Sequence, residues 1–529
     1  MKTDMTQSSL ELAEQRKINR RLQEKTERQS KEISYLKEQV GLLLSQIYGK
    51  RSEKKQHDAV PSGQLNFLDL AGETTSPDEV DVPAPVPIAA HTRKKSGRKP
   101  LPESLPRVEQ VHDIPDDQKQ CACGSALDRI GEERSEQLDY VPAQLRVIRH
   151  IRPKYACKSC EGIETEGSTV KIAPPPKQIL PKSIASPSLL AQIITSKFVD
   201  SLPFYRQEKQ FSRLGVEISR SNMANWTIQL SDQVSRLLEL LTHEILSGPL
   251  IHMDETTLQV LKEKGRAPTT KSHMWVMRGG PPENPGILFH YSPTRASSVA
   301  QCLLEDYHGI VQTDGYAGYD FISHSPVLSH AGCWAHSRRK FMDILKAKDK
   351  YQKKKAKSGH ADQALSFIGQ LYGIERQANE AQLSPQQRYV IRQEQAKPIL
   401  DSFYHWLKQT ENQMPPKSLL GKAINYTLKR WDQLTLYLKH GVLPMDNNLA
   451  ENAIRPFVVG RKNFLFCDTT AGATAMANLY SLVETAKANK LNPTEYLSQL
   501  FEQLPYADTD DKLKHLLPQY LDTTTPDSE

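Results

Sequence analysis

A multidomain α/β chain is predicted by three observations. The first is length: 529 residues is several times a usual domain of roughly 150. The second is composition. With 38% hydrophobic and 7% aromatic residues and a mean hydropathy of −0.57, the chain reads as globular parts joined by polar segments. The third is texture, because short strand-like runs separated by Gly/Pro turns give way to long stretches of helical period after residue 345. No run of about 18 apolar residues is present, which excludes a helical membrane span. The start MKTDMTQSSLELAEQ is polar and unlike a signal peptide. Seven cysteines without an export signal read as thiols or metal ligands of a reducing, cytoplasmic compartment. The net charge of +7 hints at a polyanionic partner.

Residues 1–55 are predicted as a coiled coil. Ile33, Leu36, Val40, Leu43 and Ile47 are spaced 3, 4, 3, 4, the seam by which two copies would pair. Residues 56–105 form a Pro-rich, basic, disordered linker. Its RKKSGRKPLP stretch, with Arg98 and Lys99, suits DNA phosphates in a minor groove as well as it suits a solvated linker. Residues 106–175 carry Cys121-x-Cys123 and Cys157-x-x-Cys160, two pairs that suggest one structural zinc site. The single residue inside the first pair strains a shared tetrahedron, so His112 or His150 is the alternative ligand. Residues 176–248 read as helices with a helix-turn-helix-like pair: RQEKQFSRL, a turn GVEI, and a helix capped by Ser219 or Ser221.

From residue 249 the order is β-β-β-α-β-(α)-β-α. Three meander strands followed by crossover strands is the order of a ribonuclease-H-like mixed sheet, whose first part spans 249–345. Residues 346–440 are a basic and helical insertion, 441–505 the second part of the core, and 506–529 a tail.

Three acids fit that frame. Asp254 lies in or just past the first apolar strand, and Asp314 ends the fourth, with Gly315 permitting a sharp exit. Glu451 falls in the first turns of a helix that Asp446 would cap and Pro456 would end. Three converging carboxylates can hold two Mg²⁺ ions. A surface pair of Glu451 with Arg455 is the competing reading of the third. From Arg338 to His360 ten Lys/Arg stand against two Asp, a local +8. Arg338, Arg339, Lys340, Lys353, Lys354 and Lys355, with Arg455, Arg461 and Lys462 beyond the third acid, are the expected DNA-phosphate contacts. Cys302, Cys333 and Cys467 read as small buried residues; a Cys333/His336 nucleophile pair lacks a third, orienting group.

HMDETTLQV, VQTDGYAGY, GCWAHSRRKF and MDNNLAENAIRPFVVGRKNFLF resemble the Asp-Asp-Glu transposases of the insertion sequence sixty-six family. LLSQIYGKRSEK, GRKPLPESLPR, IGEERSEQLDYVPAQLRVIRHIRPKYACKSC and DSLPFYRQEKQFSRLG resemble its N-terminal regions, so the likeness covers nearly the whole chain. It implies a ribonuclease-H-like core with a helical insertion and a catalytic triad at Asp254, Asp314 and Glu451. It also implies Mg²⁺ (Mn²⁺ substituting), a zinc site at Cys123, Cys157 and Cys160, DNA as substrate, self-association and accessory proteins of the same element. The family's first cysteine pair would place a ligand at Gln120, where this chain has Cys121 instead. The expected activity is hydrolysis at an element end followed by attack of the freed 3′-OH on target DNA. A nuclease without strand transfer and a non-catalytic DNA-binding regulator are the alternatives.

Overall fold

The computed structural model describes residues 144–156, 170–347 and 359–521, with scattered positions between 15 and 40. The chain divides into two compact units, Ser52–Ile151 and the remainder. Residues 144–151 of the first unit are irregular and exposed. In the second, the described positions between 15 and 40 are helical, and Leu22, Ile33, Leu36 and Val40 stand exposed on the single chain. A small antiparallel hairpin follows, β1 (Lys154–Ala156) with β2 (Val170–Ile172).

Four helices come next: α1 (Pro187–Phe198), α2 (Phe204–Arg213), α3 (Arg220–Gln233) and α4 (Ser235–Leu246). Ser186 caps α1, with Pro187 at the first helical position, where a missing N–H costs nothing. Of the two candidate caps of α3, Ser219 makes the bond, accepting from Asn222 N at 3.2 Å. Gly215 in the α2–α3 turn has φ +83°, a conformation only glycine takes freely.

The main sheet is built from β3 (Leu250–Lys262), β4 (Lys271–Gly279), β5 (Gly286–Ser292), β6 (Gly309–Gln312), β7 (Leu328–Ala331) and β8 (Cys467–Thr469). Its order is β5-β4-β3-β6-β7, and β8 pairs with the far end of β3. The β3–β4 and β4–β5 pairs are antiparallel; β3–β6, β6–β7 and β3–β8 are parallel. Helix α5 (Ser297–Leu303) and a 3₁₀ segment (Ala317–His324) make the crossovers, and α6 (Trp334–Ala347) follows β7.

The insertion comprises α7 (His360–Glu380), α8 (Pro385–Ile391), α9 (Lys397–Glu411), α10 (Leu419–Lys429) and α11 (Trp431–Thr435). A π-turn at Arg392–Ala396 joins α8 to α9. It directs the fully buried Arg392 onto Glu375 (2.7 and 2.8 Å) and the carbonyls of Tyr437 and His440. Every donor so placed offsets the cost of burying the charge.

Four helices and β8 close the chain: α12 (Asn448–Phe464), α13 (Thr470–Ala488), α14 (Pro493–Gln503) and α15 (Asp510–His515). Pro456 does not end its helix, contrary to the sequence expectation. It sits inside α12, where buried Ala453, Ile454, Phe457 and Gly460 hold the backbone helical through the lost hydrogen bond.

Two apolar cores flank the sheet, and β6 shows how. Its alternating side chains Ile310 and Val311 enter different cores. The larger core joins α1–α4 to β3, β4, β5 and α12–α14; the smaller gathers α6 and the insertion around Trp334. Cys333 and Cys467 are buried as expected, but Cys302 is exposed on the outer side of the short α5.

Candidate active site

The parallel register of β3 and β6 decides where the first two acids stand. His252 lies opposite Gln312, so Asp254, two residues further along β3, and Asp314, two residues past the end of β6, are set side by side by the register. Asp254 Oδ1 accepts from Glu255 N (2.8 Å), and Asp314 Oδ1 accepts from Tyr316 N (2.8 Å). Glu451 lies in the first turn of α12, where the helix dipole favours an anion. Burial first, and then the charges of Glu255, Asp314 and Glu451, together push the Asp254 carboxyl up to about 7. The three acids therefore share one electrostatic neighbourhood.

Glu451 is not paired with Arg455, which is exposed and makes no ion pair with it among the described residues. Its carboxylate faces His336 Nδ1 and an Arg339 guanidinium nitrogen, each at 3.7 Å, beyond hydrogen-bond reach. Both Glu451 Oε1 and His336 Nδ1 are buried without a hydrogen-bond partner. One ligand atom each of Cys333, His336 and Glu451 lie within 4.8 Å of one another. Burial raises the Cys333 thiol to about 12, so it stays protonated, and its sulfur accepts from Asn447 N at 3.2 Å. That removes Cys333 as a nucleophile. A crowded carboxylate held near neutrality beside an unpartnered buried carboxylate oxygen is a donor set that fits a hard divalent cation.

Several residues that position this site carry no strong sequence signal. Asn447 is fully buried. Its Nδ2 donates to Met253 O (2.7 Å), so its Oδ1 must accept from His252 Nδ1 (3.0 Å). Burial lowers His252 to about 4, which keeps it the neutral Nδ1–H tautomer. One amide thus clamps the start of the Glu451 helix to the residue preceding Asp254. The sequence marks Asn447 only as a polar residue ahead of a helix. Asp446, expected to cap that helix, lies one residue further out; it accepts from Asn448 N (3.2 Å) and Tyr372 Oη (3.3 Å). We expect Asn447→Ala to cost about 2–3 kcal/mol, since it strands buried polar partners. Thermal melts of the purified variant check this, and an unchanged Tm would show that Asn447 does not clamp the helix.

Glu255, beside Asp254, is buried against Tyr319 Oη and Arg295 (Nε 2.7 Å). The insertion also reaches the site. The Tyr426 ring of α10 packs where a Cβ at Gly315 would stand, so Gly315 is required by close approach rather than by a left-handed turn. Arg430 donates to Gly315 O at 2.6 Å.

Arg338, Arg339 and Lys340 are exposed on α6, with Lys340 Nζ 4.4 Å from the centre of the Tyr426 ring. Lys462 is exposed, while Arg461 is partly buried and donates to Thr256 Oγ1 (3.3 Å) and Thr257 Oγ1 (3.2 Å) on the Asp254 strand. Cys121, Cys123, Cys157, Cys160, Lys353, Lys354, Lys355, Arg98 and Lys99 lie outside the described residues. Among those described, no helix is long and apolar enough to cross a membrane.

Comparison with known proteins fits this layout. The Transposase IS66 family profile matches residues 182–475, and the zinc-finger binding domain of transposase IS66 matches 118–161. The "Transposase C of IS166 homeodomain" profile matches 35–109 and the IS66 C-terminal element 481–519. The Sinorhizobium fredii protein y4jD, itself uncharacterized, is 32% identical over 514 residues, covering 94% of this chain and 96% of its own. The uncharacterized y4hP of the same organism is 29% identical over 491 residues, 89% of this chain and 86% of its own. A mixed α/β core flanked by zinc-finger and C-terminal elements, matched in that order along the sequence, places this chain in the IS66 transposase family.

Proposed function

We propose that this transposase acts on the ends of its own mobile element through a ribonuclease-H-like core in which Asp254, Asp314 and Glu451 are the catalytic acids. What supports this reading is the parallel β3–β6 register, which sets Asp254 beside Asp314, together with Glu451 in the first turn of α12, close enough that its charge helps raise the Asp254 carboxyl. The sheet order, a three-strand meander followed by two parallel strands on the Asp254 side, supports the fold assignment. The three acids would hold two Mg²⁺ ions, with Mn²⁺ able to substitute, which when bound activate an attacking oxygen and stabilise a leaving one.

The protein's own groups supply position and charge. Asn447 fixes the third acid against the first. Arg338, Arg339, Lys340, Arg455, Arg461 and Lys462 would offer cations to DNA phosphates, and Lys353, Lys354, Lys355, Arg98 and Lys99 are proposed from the sequence as further phosphate contacts. Water attacks the phosphodiester at an element end and frees a 3′-OH, which then attacks a target phosphodiester. Pairing through the N-terminal seam would bring two ends together, and accessory proteins of the same element would complete the assembly, in the bacterial cytoplasm. The test is incubation of the full chain with cloned element ends, supercoiled target and Mg²⁺, followed by sequencing of the products. Joined DNA is expected; nicked DNA alone would make it a nuclease, and no Mg²⁺-dependent cleavage would make it a regulator.

The cysteine region is proposed to hold one structural zinc on Cys121, Cys123, Cys157 and Cys160, within 106–175. Elemental analysis of protein purified without chelator should find about one zinc per chain. Cys157→Ser should abolish it, whereas unchanged zinc in Cys121→Ser would hand the fourth position to a histidine or to no protein ligand.

A further inference from the structure

The helix that carries Glu451 ends in a feature its catalytic role does not explain. Leu465, just past α12, has φ 64° and ψ −53°, and Phe466 N donates to Phe464 O at 2.8 Å. That is a γ-turn of the rare positive-φ hand, a strained conformation that a leucine adopts only when its surroundings impose it. The surroundings do so. Leu465 N is held by Arg461 O (2.7 Å), Phe464 packs against the Lys197 ammonium (5.0 Å from its ring centre), and Cys467, just after Phe466, is buried and paired with Val260. This rigid turn pushes two large apolar side chains outward, Leu465 at 63% and Phe466 at 43% exposure.

The approach to the turn has a marked chemistry. Asn448, Asn452, Arg455, Val459 and Lys462 are exposed at spacings of 4, 3, 4 and 3, one continuous face of α12. From Asn452 to Cys467 the sequence contains no acid and three cations, Arg455, Arg461 and Lys462. The nearest acid beyond it, Asp468, is paired with Lys262 at 2.8 Å. A face of amides, cations and one small apolar residue is complementary to duplex DNA rather than to a protein core. A strained apolar tip at its end matches the side chains that DNA-bending proteins wedge between base steps.

We infer that Leu465 and Phe466 form an apolar wedge that unstacks a base step of the element end while the face from Asn448 to Lys462 follows the duplex. The inference rests on the transposase reading above. Leu465 lies fourteen residues beyond Glu451, about 21 Å along a helix, or roughly six base pairs from the scissile phosphate.

Duplexes of the cloned element ends, carrying 2-aminopurine at one position at a time, test it with the full chain and no added Mg²⁺. Specific binding is read by anisotropy and unstacking by 2-aminopurine emission. Emission should rise severalfold at a step roughly five to seven base pairs from the cleaved bond, and nowhere else. Phe466→Ala and Leu465→Gly should abolish the rise while binding to unrelated duplex stays within about twofold. Leu465→Gly should also melt at or above the wild-type temperature, because glycine adopts the turn without strain, so its loss of signal cannot be unfolding. End binding without any rise, or a rise that survives both substitutions, overturns the wedge alone. A change of solution mass in the variants with the rise intact would make the tip a contact between copies of the chain. Failure to bind the ends at all overturns the transposase reading together with the wedge.

Discussion

Glu451→Gln is expected to reduce strand cleavage at an element end by roughly 10³-fold or more, about 4 kcal/mol of lost transition-state stabilisation. The substitution keeps the shape of the side chain and removes a charge that helps raise the Asp254 carboxyl. Folding should be nearly untouched, because the Glu451 side chain only approaches His336 and Arg339 at 3.7 Å, beyond hydrogen-bond reach, and its buried oxygen has no partner to lose. Stability should even rise slightly, since the variant removes one of the charges crowding Asp254. Asp446→Asn is the matched comparison. Asp446 accepts from Asn448 N and Tyr372 Oη, contacts an amide oxygen can keep, so a modest stability loss with measurable cleavage is expected. Quantified cleavage of labelled ends, with end affinity measured in parallel, checks both. Normal cleavage by Glu451→Gln with a dead Asp446→Asn would move the third acid five residues upstream.

The second large effect is on stability against pH. The Asp254 carboxyl ionises near 3.8 in an unfolded chain and is pushed up to about 7 in the fold, by burial first and by neighbouring carboxylates next. Between about pH 4 and 7 the native state therefore holds a proton that the unfolded state has released, so stability falls as pH rises through that window and levels off above it. Three pH units at about 1.4 kcal/mol each set a ceiling of about 4 kcal/mol, shared among the coupled acids. Buried His252 and His330, both lowered to about 4, have the opposite sign: stability rises with pH between about 4 and 6.5. Comparing wild type with Asp254→Asn isolates the carboxylate. Without divalent ions the variant should be the more stable at pH 8, on the order of 2–4 kcal/mol, with the difference vanishing near pH 4. Added Mg²⁺ or Mn²⁺ should raise the wild-type Tm more than the variant's. Equal melting of the two proteins at pH 8 would mean that Asp254 is not held in a cation-seeking environment.

Much of this protein follows from the sequence by local physics. Strands at 250–262, 271–279 and 286–292 are legible because apolar runs are cut by Gly/Pro turns, and a serine cap, Ser219 or Ser221, announces its helix because a hydroxyl caps free N–H groups, with Ser219 the one that bonds. The acids stand out because a carboxylate in an apolar strand must have a reason to be there. What the sequence could not decide is long-range. The parallel register that sets Asp254 beside Asp314 is a tertiary fact, as is the choice of His336 and Arg339, rather than Arg455, to face Glu451. Pro456 reads as a helix end by local rule, yet packing of Ala453, Ile454, Phe457 and Gly460 carries the helix on to Phe464. Asn447 and Tyr426 reach the site from distant positions with side chains that locally signify only a cap and a helix face. Local propensity fixes elements, whereas the pairing of buried polar groups across elements depends on which surfaces the chain brings together, and only the folded core decides that.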